Sequence, residues 1–248
     1  GLAYVMDQPA DGYSITEVSS DTVILDVTER TKFRLDDVIF VFRGVHDISA
    51  IHVLKDHPSI KSFKDVLEIS KTKKGEKITL AGAGMFGVDH IWIQYLNKLS
   101  GSNILFIPFD KGGERHASFL GKHVSLLSDE IADTQTMREA GKINTILVGY
   151  DKRVAAYPDI PCTVELGINN TIGRWRGVAI KKGTPPAIVA FLQEAFMKAS
   201  KTPAYQDYLK KEIQHDRPAV LGAADFTKFT QEEKVVFSGI LKELGVIK

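Results

Sequence analysis

Cysteine is almost absent: Cys162 is the single thiol in 248 residues. One thiol closes no intramolecular disulfide and builds no thiolate zinc cluster, which excludes disulfide-stapled scaffolds and zinc ribbons. Charge imbalance is missing too. Lys and Arg number 32 against 31 Asp and Glu, a net charge of +1, so no global field draws the chain to nucleic acid or to an anionic membrane. No apolar run reaches the about 18 residues of a membrane span. The opening Gly1-Leu2-Ala3-Tyr4-Val5-Met6 lacks the basic and apolar regions of a signal peptide. There is no G-x-S-x-G elbow, no P-loop and no H-E-x-x-H pair, and the histidines show no ligand spacing. Hydrolase, kinase and metal-centre readings therefore have no support.

What is present is an ordinary globular composition, 44% apolar and 25% charged, with length for one large domain or two small ones. From Lys77 to Gly149 strand and helix patterns alternate. Lys77-Ile78-Thr79-Leu80-Ala81 reads as a strand, and Ile91, Trp92, Tyr95, Leu96 and Leu99 mark a helix face. Ile104 to Ile107, Val124 to Leu127 and Ile143 to Val148 read as further strands, with helices over 112–120 and 132–140 between them. Such alternation predicts a parallel sheet covered on both faces, with ligands at the carboxyl ends of its strands.

Outside this unit, Ser14 to Val18 and Val38 to Phe42 read as strands flanking a short helix near Thr22 to Val27. Ser62-Phe63-Lys64-Asp65 resembles a capping box, and Lys71, Lys73, Lys74 and Lys77 beyond it read as a solvated helix end. Val178-Ala179-Ile180 is a strand. Thr184-Pro185-Pro186 then starts a helix expected to bury Ile188, Phe191, Leu192, Ala195, Phe196 and Ala199. A helix from Thr202-Pro203 and a last one carrying Phe226, Phe229, Phe237 and Ile240, stopped by Gly245, complete a helical cover.

Three loops carry the chemistry. Gly82-Ala83-Gly84-Met85-Phe86-Gly87 spells G-x-G-x-x-G between a strand and a helix, the setting of a dinucleotide fingerprint. That reading, a nicotinamide-dependent oxidoreductase, is the alternative; against it, Asp89 in the first helical turn would oppose a pyrophosphate. Asp89 and His90 are adjacent on a helix and do not face each other, so surface or capping roles are expected. Lys111-Gly112-Gly113-Glu114 opens the next helix, and Ser128-Asp129 follows the next strand. Small residues admit ligand oxygens to backbone N–H groups, and helix N-termini favour anions.

The order of motifs along the whole chain resembles the substrate-binding proteins of tripartite tricarboxylate transporters, the Bug or TctC-type family. It runs through Pro9-Ala10-Asp11-Gly12-Tyr13, Ser19-Ser20, Leu35-Asp36-Asp37, His57-Pro58, the turn from Gly82 to His90 and Pro108 to Glu114. It continues through Tyr157-Pro158-Asp159-Ile160-Pro161, Trp175-Arg176-Gly177 and Lys182-Gly183-Thr184-Pro185. The resemblance implies an α/β, bilobal periplasmic-binding-protein-like (type II) fold with two lobes of mostly parallel sheets and a ligand cleft between them. Residues 1–48 and 173–248 would form one lobe and 49–172 the other. It implies a receptor outside the cytoplasm and no catalysis, metal or cofactor. The receptor would capture a small di- or tricarboxylate for the permease subunits of the transporter. Ligand contacts would come from Ser19 and Ser20 in the first lobe and from Gly82, Ala83, Gly84, Met85, Phe86, Gly87, Lys111, Gly112, Gly113, Ser128 and Asp129 in the second.

The chain departs from this pattern in three places. It starts after the strand and Pro-x-Gly-Gly loop with which the family begins, which is read as an N-terminal truncation that would weaken binding and favour homo-oligomers through the incomplete lobe. Met85-Phe86 replaces small polar residues, and Arg115-His116 adds charge after the double glycine. Glu114 is expected to cap its helix or pair with Lys111, Arg115 or Arg176, and Asp129 to accept from a ligand hydroxyl or a water.

Overall fold

The computed structural model describes residues 1–72 and 78–248; Lys73, Lys74 and Lys77 of the lysine cluster lie outside the described residues. In chain order the elements are α1 (Leu2–Asp7), β1 (Ile15–Ser19), α2 (Ser20–Val27), β2 (Val38–Asp47), β3 (Ser49–Leu54), α3 (Phe63–Thr72), β4 (Ile78–Ala83) and α4 (Val88–Ser100). There follow β5 (Ile104–Phe109), α5 (Gly112–Leu120), β6 (Leu126–Glu130), α6 (Gln135–Glu139) and β7 (Ile143–Val148). The chain closes with β8 (Arg174–Lys181), α7 (Pro186–Ala199), α8 (Pro203–Lys211), β9 (Leu221–Gly222) and α9 (Ala223–Glu243). It divides into two compact units, Gly1–Asp47 with Arg174–Lys248, and Ile48–Gly173.

The first unit holds a sheet in the order β1-β8-β2-β9, and every pairing in it is antiparallel. The expectation of mostly parallel sheets is corrected here: β8 arrives from a distant part of the chain and inserts between β1 and β2, which local patterning cannot reveal. Against β8, β2 shows register shifts between Phe40 and Phe42 and between Arg43 and Val45. A bulge puts two residues opposite one and reverses the facing of the residues beyond it. Phe40 accordingly meets Phe226 of α9 edge-on at 5.0 Å, whereas Phe42 stacks on Phe196 of α7 at 5.4 Å. Trp175, fully buried, packs edge-on against Phe226 at 5.1 Å. Gly177 permits that approach, since a Cβ there would stand 2.5 Å from the Phe226 ring. Truncating either aromatic would cost about 3–5 kcal/mol.

The predicted buried face of α7 is corrected. Val189, Leu192, Phe196 and Met197 pack, half-buried, against Val41, Phe42 and Ile180, while Phe191 is 69% exposed and Ala195 and Ala199 face water. The Thr202 hydroxyl caps α8 by accepting from Tyr205 N–H, and α9 buries Phe226, Phe237, Ile240 and Leu241 before Gly245 turns with φ +71°.

The second unit holds a sheet in the order β5-β4-β6-β3-β7. Only β5-β4-β6 is parallel; β3 runs antiparallel between β6 and β7. The alternation from β4 to β7 does orient these strands alike, but β3 separates β7 from its expected neighbour. The helix expected over 132–140 shrinks to α6, Gln135–Glu139. One core cluster sets Phe119 of α5 against Leu54, Ala81, Leu127 and Ile143, and α4 buries Ile91, Trp92, Ile93 and Leu96. Before α3, the Asp65 carboxylate accepts from Ser62 N–H at 2.8 Å and Asp65 N–H reaches Ser62 Oγ, completing the capping box.

Candidate functional site

Because β4, β5 and β6 are parallel neighbours, their carboxyl ends deliver three loops to one edge of the sheet. The first is the Gly-rich turn. Gly82 still belongs to β4 and is demanded by packing, since a Cβ there would lie 2.2 Å from the Phe106 ring. Gly84 has φ +59°, and a Cβ there would meet nothing within 4 Å; glycine adopts this conformation without strain. Phe86 has φ +64°, and Met85 and Phe86 are exposed at the tip. Helix α4 begins only after Gly87, its N-cap.

Asp89 and His90 both stitch this turn. Asp89 is buried and its Oδ2 accepts from Ala83 N–H at 3.1 Å, so of the surface and capping roles expected for it the surface one is corrected. His90 Nδ1 accepts from Phe86 N–H at 3.2 Å, and burial holds the imidazole pKa below its usual value. Gly84 N–H donates to Phe109 O at 3.1 Å, tying the turn to the second loop.

In that second loop Lys111 is the N-cap of α5, and Gly112 and Gly113 are its first residues. Neither glycine has positive φ, and nothing lies within 4 Å of a Cβ at either. They are exposed, so the first N–H groups of α5 can be approached closely. Glu114 pairs with Lys111 at 3.2 Å, both side chains well exposed.

The third loop is enclosed. Asp129 Oδ1 accepts from Arg115 Nη2 at 2.7 Å and from Glu130 N–H at 3.1 Å, and Oδ2 lies 2.5 Å from His116 Nε2. Arg115 Nη1 stands 4.0 Å from Asp89. With its side chain shut off from solvent, Asp129 is occupied by protein, in place of the expected ligand hydroxyl or water. Its neighbour Ser128, on the opposite face of β6, is buried, and Ser128 Oγ has no hydrogen-bonding partner among the described residues. Buried hydroxyls are nearly always paired, which makes Ser128 a candidate contact for a ligand or water. Asp129 also lies near Glu130 and Asp133, but with Arg115 on its carboxylate that acidic group carries no case for a cation.

Deeper in the unit, His52 lies 2.9 Å from Thr145 Oγ1, and burial with Arg138 nearby pushes its pKa down to about 3. Ser19 and Ser20 belong to the first unit. Ser19 is the N-cap of α2, its N–H donating to Thr22 Oγ1 at 3.0 Å. Ser20 is fully buried, and its Oγ accepts from Trp175 N–H at 3.0 Å. That hydroxyl serves the junction of α2 with β8.

A family model described as the tripartite tricarboxylate transporter family receptor, TctC, matches residues 2–246. The chain belongs to this family. Its members are receptors rather than enzymes, so the oxidoreductase alternative falls, in keeping with a helix that starts only after the last glycine of the G-x-G-x-x-G turn. Among curated relatives, the "UPF0065 protein in gbd 5'region" of Cupriavidus necator is 28% identical over 241 residues, covering 96% of this chain and 72% of the relative. Among solved structures, the periplasmic binding protein BugD is similar with a TM-score of 0.83 and 24% identity, covering 99% of this chain and 83% of that one. MatC of Rhodopseudomonas palustris, with bound malate, is similar with a TM-score of 0.79 and 20% identity, covering 97% and 83%. These likenesses establish the α/β periplasmic-binding-protein fold of the TctC receptors for this chain.

Proposed function

We propose that the protein is an extracytoplasmic receptor that captures a small di- or tricarboxylate and delivers it to the permease subunits of a tripartite tricarboxylate transporter, its two compact units serving as the lobes. The observation that carries the reading is the glycine-opened start of α5 beside the Gly84 turn, where no side chain blocks the first backbone N–H groups. A carboxylate suits such a place, because the donors are fixed and the helix end adds favourable potential without a formal charge. The family and the malate held by a structural neighbour support the same ligand class.

Contacts are assigned to backbone and side-chain donors from Gly82 to Gly87 and Lys111 to Gly113, with Ser128; the Ser20 hydroxyl, buried and engaged by Trp175 N–H, is not among them. Asp129 is assigned to shaping the site rather than touching the ligand. A thermal-shift screen with succinate, malate and citrate, and NADH as the control, tests the proposal. Ligand at 100 times its Kd stabilises by about 2.7 kcal/mol. A shift with a carboxylate and none with NADH is expected; a shift with NADH alone would overturn the reading.

A further inference from the structure

Arg115 joins all three loops of the second unit. It lies on the first turn of α5, its side chain is only 10% exposed, and its two terminal nitrogens reach Asp129 at 2.7 Å and Asp89 at 4.0 Å. Asp89 in turn holds Ala83 N–H of the Gly-rich turn, and Asp129 holds Glu130 N–H at the end of β6. One guanidinium from the second loop thus hydrogen-bonds the acid that shapes the third and stands at ion-pair distance from the acid that shapes the first. A lysine could meet one of these carboxylates as a point charge but could not fork between both.

The charge arithmetic gives the arrangement a purpose. Two buried carboxylates beside an anion site would repel any anionic ligand, and burial strengthens the repulsion. Arg115 cancels one of the two charges, while the exposed Lys111–Glu114 pair adds no net charge.

We propose that Arg115 is the positioning residue of the anion cradle, a single side chain that sets the backbone donors of three loops and offsets the two acids that would otherwise exclude a carboxylate. The inference rests on the carboxylate reading above and deepens it, by making this balance set how much ligand charge the cradle accepts. Relative to the wild type, the charge summed over Asp89, Arg115 and Asp129 changes by −1 in Arg115→Met, by +1 in Asp129→Asn and by 0 in the double variant, with His116 beside position 129 in all four. Affinity for malate should follow that order. Asp129→Asn binds at least as tightly as the wild type, the double variant comes next, and Arg115→Met is weakest. One unit charge roughly 8 Å from a single ligand carboxylate, at an effective dielectric near 20, changes affinity by about thirtyfold, and by more for malate, which carries two. Arg115→Lys should fall between the wild type and Arg115→Met.

The test pairs calorimetry on these variants, with malate and citrate, with hydrogen exchange on the ligand-free proteins. Faster exchange at Ala83 and Glu130 in Arg115→Met, with β7 unchanged, is expected. Unchanged exchange at both amides would overturn the tie, whatever the protein binds. Should exchange rise while the wild type binds no carboxylate, the tie stands and the carboxylate reading falls. A double variant that binds no better than Arg115→Met would refute the charge balance and leave Arg115 a purely structural residue. Where Arg115→Met fails to fold, Asp129→Asn and Arg115→Lys carry the same decision. An Asp129→Asn affinity tenfold below the wild type, or an Arg115→Lys affinity equal to it, refutes the proposal.

Discussion

Replacing Glu233 by Gln should remove a loss of stability that the protein shows as pH rises toward about 8. Glu233 sits on α9, half-buried, with Trp175 Nε1 donating to its Oε2 at 2.5 Å. Burial pushes its pKa up to about 8, against the opposing effects of the Trp175 hydrogen bond and the nearby Arg43. The raised value means that the folded state keeps a proton which the unfolded chain has already lost. Stability from this group is therefore complete below the ordinary carboxyl range and falls as pH rises toward about 8. At about 1.4 kcal/mol per pH unit, the loss between pH 6.5 and 8 is about 2 kcal/mol. The desolvated histidines do not mask it: His46 and His52, both pushed down to about 3, cost stability only as pH falls below the usual histidine range. Gln keeps an acceptor for Trp175 but brings an amide donor into the packing, costing about 1–3 kcal/mol if unpaired. The variant should thus be no more stable than the wild type near pH 5 and should overtake it, or close most of the gap, by pH 8. Urea unfolding followed by tryptophan fluorescence at pH 5, 6.5 and 8 measures this directly. Parallel pH profiles for the two proteins across 6.5 to 8 would refute the argument that Glu233 is protonated in the fold.

Three more outcomes are expected in the second unit. Gly113→Val should weaken carboxylate binding about tenfold or more while leaving the melting temperature nearly unchanged, since the Cβ meets no neighbour but crowds the N-terminus of α5; calorimetry and a melting curve check it. Gly82→Ala should cost about 1–3 kcal/mol of stability through the clash with Phe106, read by chemical unfolding. Glu114→Gln should leave malate affinity within about threefold, because the exposed pair with Lys111 is largely screened by solvent; a tenfold gain would show that this acid lines the pocket.

Elements whose residues meet neighbours close in sequence were the legible ones. The periodicity of Ile91, Trp92 and Leu96 gave α4, the Ser62–Asp65 box gave the start of α3, and the prolines at 185 and 186 gave α7, whereas the expected Thr184 hydroxyl cap is absent: Pro185 is the N-cap and Thr184 Oγ1 donates to Lys181 O. Strand partners were not legible, because β8 enters the first sheet and β3 the second by pairings that local patterning does not encode. The glycines of the three loops announced an anion-friendly edge by their own spacing. The residues that shape it, Asp89, His90, Arg115 and His116, read as ordinary helix-start polar residues until the parallel pairing brought their loops together. For Arg115, a charged residue at the fourth position of a glycine-opened helix was the available signal.

The interleaving of β8 between β1 and β2 has a consequence for biosynthesis. Ile15 pairs with Ile180 and Ile39 pairs with the same residue from the other side, so the first sheet has no middle until the ribosome has released the chain past Lys181. The second unit, by contrast, is one uninterrupted stretch, Ile48–Gly173, and all its strands are available earlier. Folding during synthesis should therefore start there, while β1 and β2 wait with their hydrogen-bonding edges unmatched for about 130 residues of elongation, or about 6–25 s at ordinary rates. During that interval the nascent first unit is the segment that needs a chaperone.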